Sequence, residues 1–181
     1  MTVTETHLKG CFILEPKIFG DSRGYFFESF NQTHFNKLTQ TDTIFVQDNE
    51  SFSTKGVLRG LHYQLGEYAQ AKLVRVVAGR VIDVAVDIRL KSPTFGEHIA
   101  VELSADNKKQ VFIPRGFAHG FVVLSDTAVF SYKCDNYYNK TAEAGIIYND
   151  PDLKINWQLP DSDILVSDKD KLLPQFSNAR L

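Results

Sequence analysis

Arg80-Val81-Ile82-Asp83-Val84-Ala85-Val86-Asp87-Ile88 decides the fold class. Its even positions are Ile82, Val84, Val86 and Ile88, and its odd positions include Asp83 and Asp87. Successive side chains of a strand point to opposite faces, so this period of two predicts a strand with one clearly apolar face. Working outward, the same texture recurs at Lys72–Ala78, Val57–Gln64 and Thr43–Gln47 upstream. Downstream it recurs at His98–Leu103, Gln110–Ile113, His119–Leu124 and Ala128–Cys134. These runs are rich in Val, Ile, Phe and Tyr. Turn signals separate them: Ala78-Gly79, Ser92-Pro93, Asp106-Asn107 and Pro114-Arg115-Gly116. Helical pattern is scarce, with Gln32–Leu38 behind an Asn31 cap and Ser167–Leu172 as short candidates. About eight short strands at this spacing predict an all-β fold, a closed or two-sheet antiparallel jelly-roll barrel with a few short peripheral helices. Closure also removes exposed sheet edges.

The 181 residues suit one domain, 1–181, with a real core. No linker, repeat or low-complexity tract divides it. Apolar residues make up 43% and charged residues 23%, and the formal net charge is −2. That balance excludes a general nucleic-acid or membrane binder, either of which needs a basic surplus. An anionic ligand remains open to a local basic cluster. Met1 to Gly10 is polar, without the apolar centre of a secretory signal, and no apolar run could span a bilayer. A cytoplasmic location is therefore expected, with Cys11 and Cys134 as free thiols in the core.

Polar residues with inward parity carry the functional signal, because a small barrel fills its interior with apolar side chains. Lys72 shares parity with Val74 and Val76, Tyr132 with Phe130 and Cys134, and His119 with Phe121 and Val123. A strand Tyr or His taken alone is more often a satisfied core residue, and a strand Lys can sit at an edge. Convergence on three strands predicts a polar pocket at the barrel mouth. Arg59 and His62 stand at opposite parity in one strand, with Gly60 between them. A strand glycine often marks a bulge, and a bulge here would turn both side chains toward one pocket.

Pro114-Arg115-Gly116-Phe117-Ala118-His119 reads P-x-G-x-x-H and resembles the second cupin motif. A metal-binding cupin pairs that motif with H-x-H and a following Glu. Here the corresponding segment reads His62-Tyr63-Gln64, with Lys72 downstream. Two histidines beside a cation make a poor metal site, so a cupin-like barrel without metal is expected.

Over nearly its whole length the chain resembles the dTDP-4-dehydrorhamnose 3,5-epimerase family. The resemblance rests on Phe19–Gly24, Glu28–Phe30, Phe45–Asn49, Gly56–Gln64, Gln70–Val74, Asp83–Arg89, Pro114–Gly120 and Ser167–Asp170. The Arg59-Gly60-Leu61-His62-x-Gln64 block with Lys72-Leu73-Val74 downstream is the most specific part. The resemblance implies 3,5-epimerisation of dTDP-4-dehydro-6-deoxy-alpha-D-glucose to dTDP-4-dehydro-beta-L-rhamnose, through enolates and with no cofactor. It implies His62 as general base, Asp170 as its partner, Lys72 beside the enolate oxygen and Tyr132 as the opposed acid.

The same resemblance implies Arg59 and Arg23 at the diphosphate, and Gln47 and Asn49 at the nucleotide. His119 would line the sugar site, with Tyr137 against a ring. Glu28, Glu143 and Lys169 are further expected contacts, and Phe19 and Phe26 are candidates for stacking on thymine. It also implies a homodimer to which residues 1–50 contribute, so that Arg23 and Glu28 serve the neighbouring site. Bland readings stand beside these. Asp170 follows Ser167 by three, which equally fits a helix cap. Arg23, Gln47, Asn49 and Glu143 read alone as loop polars, and Phe19 and Phe26 as core or interface residues. Rival functions are a single-carbon epimerase, a 3,4-ketoisomerase of a dTDP-4-keto sugar, a non-catalytic nucleotide-sugar binding barrel and, least favoured, a metal-dependent oxygenase.

Overall fold

The alternating run from Arg80 is a strand over Arg80–Asp87 in the computed structural model, which describes residues 1–181. In chain order the strands are β1 (Thr2–Glu5), β2 (Phe12–Glu15), β3 (Phe19–Asp21), β4 (Gly24–Phe26), β5 (Gln47–Thr54), β6 (Val57–Gln64) and β7 (Lys72–Ala78). They continue with β8 (Arg80–Asp87), β9 (His98–Ser104), β10 (Gln110–Ile113), β11 (Phe117–Val123), β12 (Thr127–Cys134), β13 (Glu143–Gly145) and β14 (Leu165–Val166). Helix α1 spans Gln32–Thr39 and α2 spans Asp168–Lys171. The first sheet has the order β1-β2-β10-β7-β12-β5, and the second β13-β6-β11-β8-β9 with β14 parallel to β6. The all-β, jelly-roll reading holds, as two antiparallel sheets face to face.

One buried cluster joins the sheets. Val74, Val76, Val111 and Phe130 from the first sheet meet Val81, Ala85, Phe121 and Val123 from the second. Lys72, Tyr132 and His119 share parity with these residues, so all three face the interior as expected. The first sheet's outer face is covered by Phe35 of α1, packed with Leu14, Leu73 and Phe112. Asn31 caps α1, its Oδ1 accepting from the His34 backbone N–H at 3.1 Å.

β8 departs from the simple picture. Every residue from Val81 to Asp87 is buried, so it has no solvent face. Its apolar even residues pack outward against Leu153 and Trp157 of the C-terminal segment. The odd residues, Asp83 among them, line the interior. The second sheet is covered on both sides, and the more polar face of this strand is the one that meets the site. Asp87 is held in place by donors from Arg89, Ser92 and Thr94, which keep its carboxyl well below the usual range despite its burial.

The strand expected at Thr43–Gln47 is not there: residues 43–46 are irregular and the strand begins at Gln47. β5 is an edge strand whose inward residues are Gln47, Asn49, Ser51 and Ser53, so it lacks the apolar signature of a core strand. The N-terminal strands and the separate β3–β4 hairpin were also missing from the sequence reading.

Gly60 does mark a bulge. His119 pairs with His62 and Phe121 with Arg59, two residues apart on β11 but three on β6. The extra residue brings Arg59 and His62 onto one face. Gly60 has φ +135°, and a Cβ there would lie 2.5 Å from Gly120 Cα. Gly60→Ala is therefore expected to lower stability by on the order of 3 kcal/mol, because both the dihedral and the backbone contact resist a side chain. Urea unfolding checks this, and an unchanged midpoint would sink it. No helix is long and apolar enough to cross a membrane.

Candidate active site

A cavity of about 600 Å³ opens between the sheets, lined by Ser51, Arg59, His62, Lys72, His119 and Tyr132 together with Lys169 and Asp170. A smaller hollow of about 170 Å³ adjoins it, shares His62, Lys72 and Tyr132, and adds Gln47, Asn49, Tyr138 and Glu143. His62 comes from β6 of the second sheet, whereas Tyr132 and Lys72 come from β12 and β7 of the first. Base and acid candidates therefore stand on opposite walls.

His62 Nε2 lies 2.8 Å from Asp170 Oδ1, and Asp170 is buried. Ser167 caps α2 through a hydrogen bond from the Asp170 N–H to its Oγ at 3.1 Å. Asp170 is thus both capped residue and histidine partner: its backbone answers the cap while its carboxylate turns to His62. Burial alone would raise the Asp170 carboxyl, but the His62 hydrogen bond and charge, with support from the Gly60 N–H, hold it below the ordinary range. A second such pair lies alongside, with His119 Nε2 2.7 Å from Asp83 Oδ1 and both residues buried. Burial pushes His119 down, and Asp83 opposes that shift.

Lys72 presents its ammonium 5.9 Å from the centre of the Tyr132 ring. Burial pushes it down, with Cys134, Asp83 and Glu143 opposing. A desolvated cation of this kind gains most from an anion that arrives beside it. Burial also pushes the Tyr132 phenol up, so that it keeps its proton at neutral pH.

Arg59 is docked on β5, donating from Nε to Ser53 Oγ at 3.1 Å and from Nη2 to the Phe52 carbonyl at 3.4 Å. Gln47 Nε2 donates to Asn49 Oδ1 at 3.1 Å. Glu143 Oε2 accepts from Lys169 Nζ at 2.7 Å and from the Tyr138 hydroxyl at 3.1 Å. Burial would raise the Glu143 carboxyl, and these two donors bring it below its usual value.

Four expected contacts lie elsewhere. Phe19 pairs with Phe26 across the β3–β4 hairpin, and both rings are exposed. The Arg23 side chain is 88% exposed and paired with Asp21 at 2.6 Å. Glu28 meets His34 Nδ1 at 3.0 Å and Asn31 Nδ2 at 3.1 Å. None of the four lines the cavity or the adjoining hollow. Tyr137 also lines neither, whereas Tyr138 lines the hollow and donates its N–H to Gln47 Oε1 at 3.1 Å.

Sequence reading missed Asp83, Ser51, Ser53 and Tyr138. The alternation Gln47-x-Asn49-x-Ser51-x-Ser53 was a usable signal for the serines. Asp83 was visible only as the polar face of β8. No group of three or more His, Cys, Asp or Glu side chains is placed to share a metal ion.

The chain is a cupin-like fold whose cavity is walled by ionisable groups from both sheets, and its family model is one of sugar-nucleotide isomerases. More narrowly, it belongs to the family described as dTDP-4-dehydrorhamnose 3,5-epimerase, whose model matches residues 5–178. The dTDP-4-dehydrorhamnose 3,5-epimerase of Shigella flexneri is 58% identical over 170 residues, 94% of this chain and 93% of that protein. The crystal structure of the same enzyme from Elizabethkingia anophelis superposes with a TM-score of 0.95 at 56% identity, covering 98% of this chain and 97% of that one. The dTDP-6-deoxy-D-glucose-3,5-epimerase of Legionella pneumophila, solved in complex with dTDP-4-keto-L-rhamnose, gives 0.94 at 50% identity, covering 98% and 93%.

Proposed function

We propose that the chain inverts C3 and C5 of dTDP-4-dehydro-6-deoxy-alpha-D-glucose, giving dTDP-4-dehydro-beta-L-rhamnose in dTDP-L-rhamnose biosynthesis. One observation carries the reading: His62 and Tyr132 come from facing sheets and border one cavity. Inversion needs a base on one face of the sugar and an acid on the other.

The C4 ketone acidifies the protons on its two flanking carbons. His62 removes one of them, and the electron pair of that C–H bond passes into the ketone as an enolate. Asp170 orients the imidazole and favours the imidazolium that forms. Lys72 stabilises the enolate oxygen, where charge develops. Tyr132 then delivers a proton to the opposite face of the same carbon. The imidazolium passes its proton to solvent, the phenolate regains one, and the cycle repeats at the second carbon. No electron is gained or lost overall, because the substrate carries its own electron sink.

His119 lines the sugar subsite, oriented by Asp83. Arg59 grips the diphosphate, its planar fork matching phosphoryl oxygens. Gln47 and Asn49 hold the nucleotide, and Glu143 of the adjoining hollow pairs with Lys169 of the main cavity to complete the contact surface. The exposed hairpin residues Phe19, Arg23 and Phe26, with Glu28, act in the neighbouring subunit of a homodimer. None of them lines the cavity of its own chain, and the hairpin's aromatic rings are bare, which supports that assignment.

Turnover of the substrate in heavy water tests the reaction. Deuterium is expected at both C3 and C5 of an L-configured product, read by NMR. Label at one carbon alone would make the chain a single-carbon epimerase. A displaced ketone would make it a 3,4-ketoisomerase, and binding without exchange a non-catalytic barrel.

A further inference from the structure

Among the buried side-chain oxygens and nitrogens of the chain, only Ser51 Oγ has no hydrogen-bond partner. Leaving a buried hydroxyl unpaired opposes folding, so such an atom calls for an explanation. Its neighbour Ser53 has one, because Ser53 Oγ accepts from Arg59 Nε. Ser51 lies on the inward face of β5 and borders the main cavity.

Strand register sets its depth. Ser51 pairs with Phe130, and Phe130 stacks on Phe121 with ring centres 4.1 Å apart. Phe121 is in turn the register partner of Arg59. The backbones of Ser51 and Arg59 therefore occupy one tier of the cavity on opposite walls, and the Arg59 guanidinium crosses to β5 beside Ser51. His62, His119, Tyr132 and Asn49 occupy the next tier, through the pairs His119–His62 and Tyr132–Asn49. Arg59 uses Nε and Nη2 to dock on β5, which leaves its Nη1 for a ligand.

We propose that Ser51 is a further substrate-binding residue, its hydroxyl donating to the phosphoryl oxygen nearest the sugar, in the diphosphate that Arg59 grips. A serine hydroxyl turns about a single torsion, so it reaches the cavity without backbone movement. The ligand then answers the one buried hydroxyl that the protein leaves unanswered. Folding and binding pull in opposite directions at this residue. The inference rests on the sugar-nucleotide reading above.

The test compares Ser51→Ala and Ser51→Thr with wild type in three measurements: melting temperature without ligand, calorimetric affinity for dTDP, and steady-state kinetics. Ser51→Ala is expected to melt at or above the wild-type temperature. Its dTDP affinity should fall about tenfold, the worth of one charge-assisted hydrogen bond, with the kinetic loss in KM rather than kcat. Ser51→Thr keeps the hydroxyl and should retain most of the affinity. Unchanged dTDP affinity in Ser51→Ala would overturn the proposal. So would a melting temperature that drops together with affinity, since that marks a structural role, or a threonine variant as weak as the alanine one. A wild-type protein that does not bind dTDP would remove the sugar-nucleotide reading itself, a result distinct from a failure of Ser51 alone.

Discussion

His62→Asn is expected to lower kcat by about 10³–10⁴-fold while dTDP affinity stays within about twofold of wild type. The magnitude follows from losing general-base catalysis in a reaction whose every bond change begins with a proton leaving carbon. Asparagine keeps a polar group of similar size beside Asp170, so the 2.8 Å contact can be replaced by an amide hydrogen bond and Asp170 is not stranded. The decisive readout is deuterium uptake from solvent at C3 and C5. Both signals should vanish together, because one base serves both carbons. Exchange that persists at either carbon would place the base for that step elsewhere, and His119, directly opposite His62 on β11, would be the first residue to examine.

Tyr132→Phe should behave differently. Product formation is expected to fall about 10²–10³-fold, yet solvent exchange at carbon should continue. His62 would still remove the proton, and the imidazolium could return a solvent-derived one to the same face. Label without inversion is the signature of a missing acid on the opposite wall. The ring that remains keeps its packing against Phe130, with centres 6.1 Å apart, so the cavity should hold its shape. Loss of exchange and inversion in equal measure would mean that Tyr132 acts before the enolate forms. That outcome would sink its assignment as the proton donor.

The pair of variants separates two roles that one activity measurement would merge. It also bears on the family comparison. A family match covering residues 5–178 says which family the chain belongs to, and these variants ask how each side chain of this chain takes part.

Much of this architecture was legible in the residues, for local reasons. Period-two alternation set the parity of Lys72, Tyr132 and His119, and all three face the interior. Gly60 announced the bulge that turns Arg59 and His62 to one side. β5 was misplaced because its inward face is polar where it lines the site, so it lacked the apolar beat that marks a strand. β8 was half understood. Its alternation was real, but burial of both faces by different layers cannot be read from one strand.

The amino-acid order by itself determined the class of fold, the inward set of polar residues and the family. These follow from short-range pattern, which backbone geometry converts directly into direction. Only the tertiary structure decided which of those residues meet. Asp170 reaches His62 across 108 positions of chain, and the choice between cap and partner was open until both contacts stood side by side. Asp83 finds His119 across 36 positions, from the polar face of a doubly covered strand. The placement of His62 and Tyr132 on opposite walls depends on how two sheets pack, and packing is set by the sum of many side-chain volumes rather than by any local pattern.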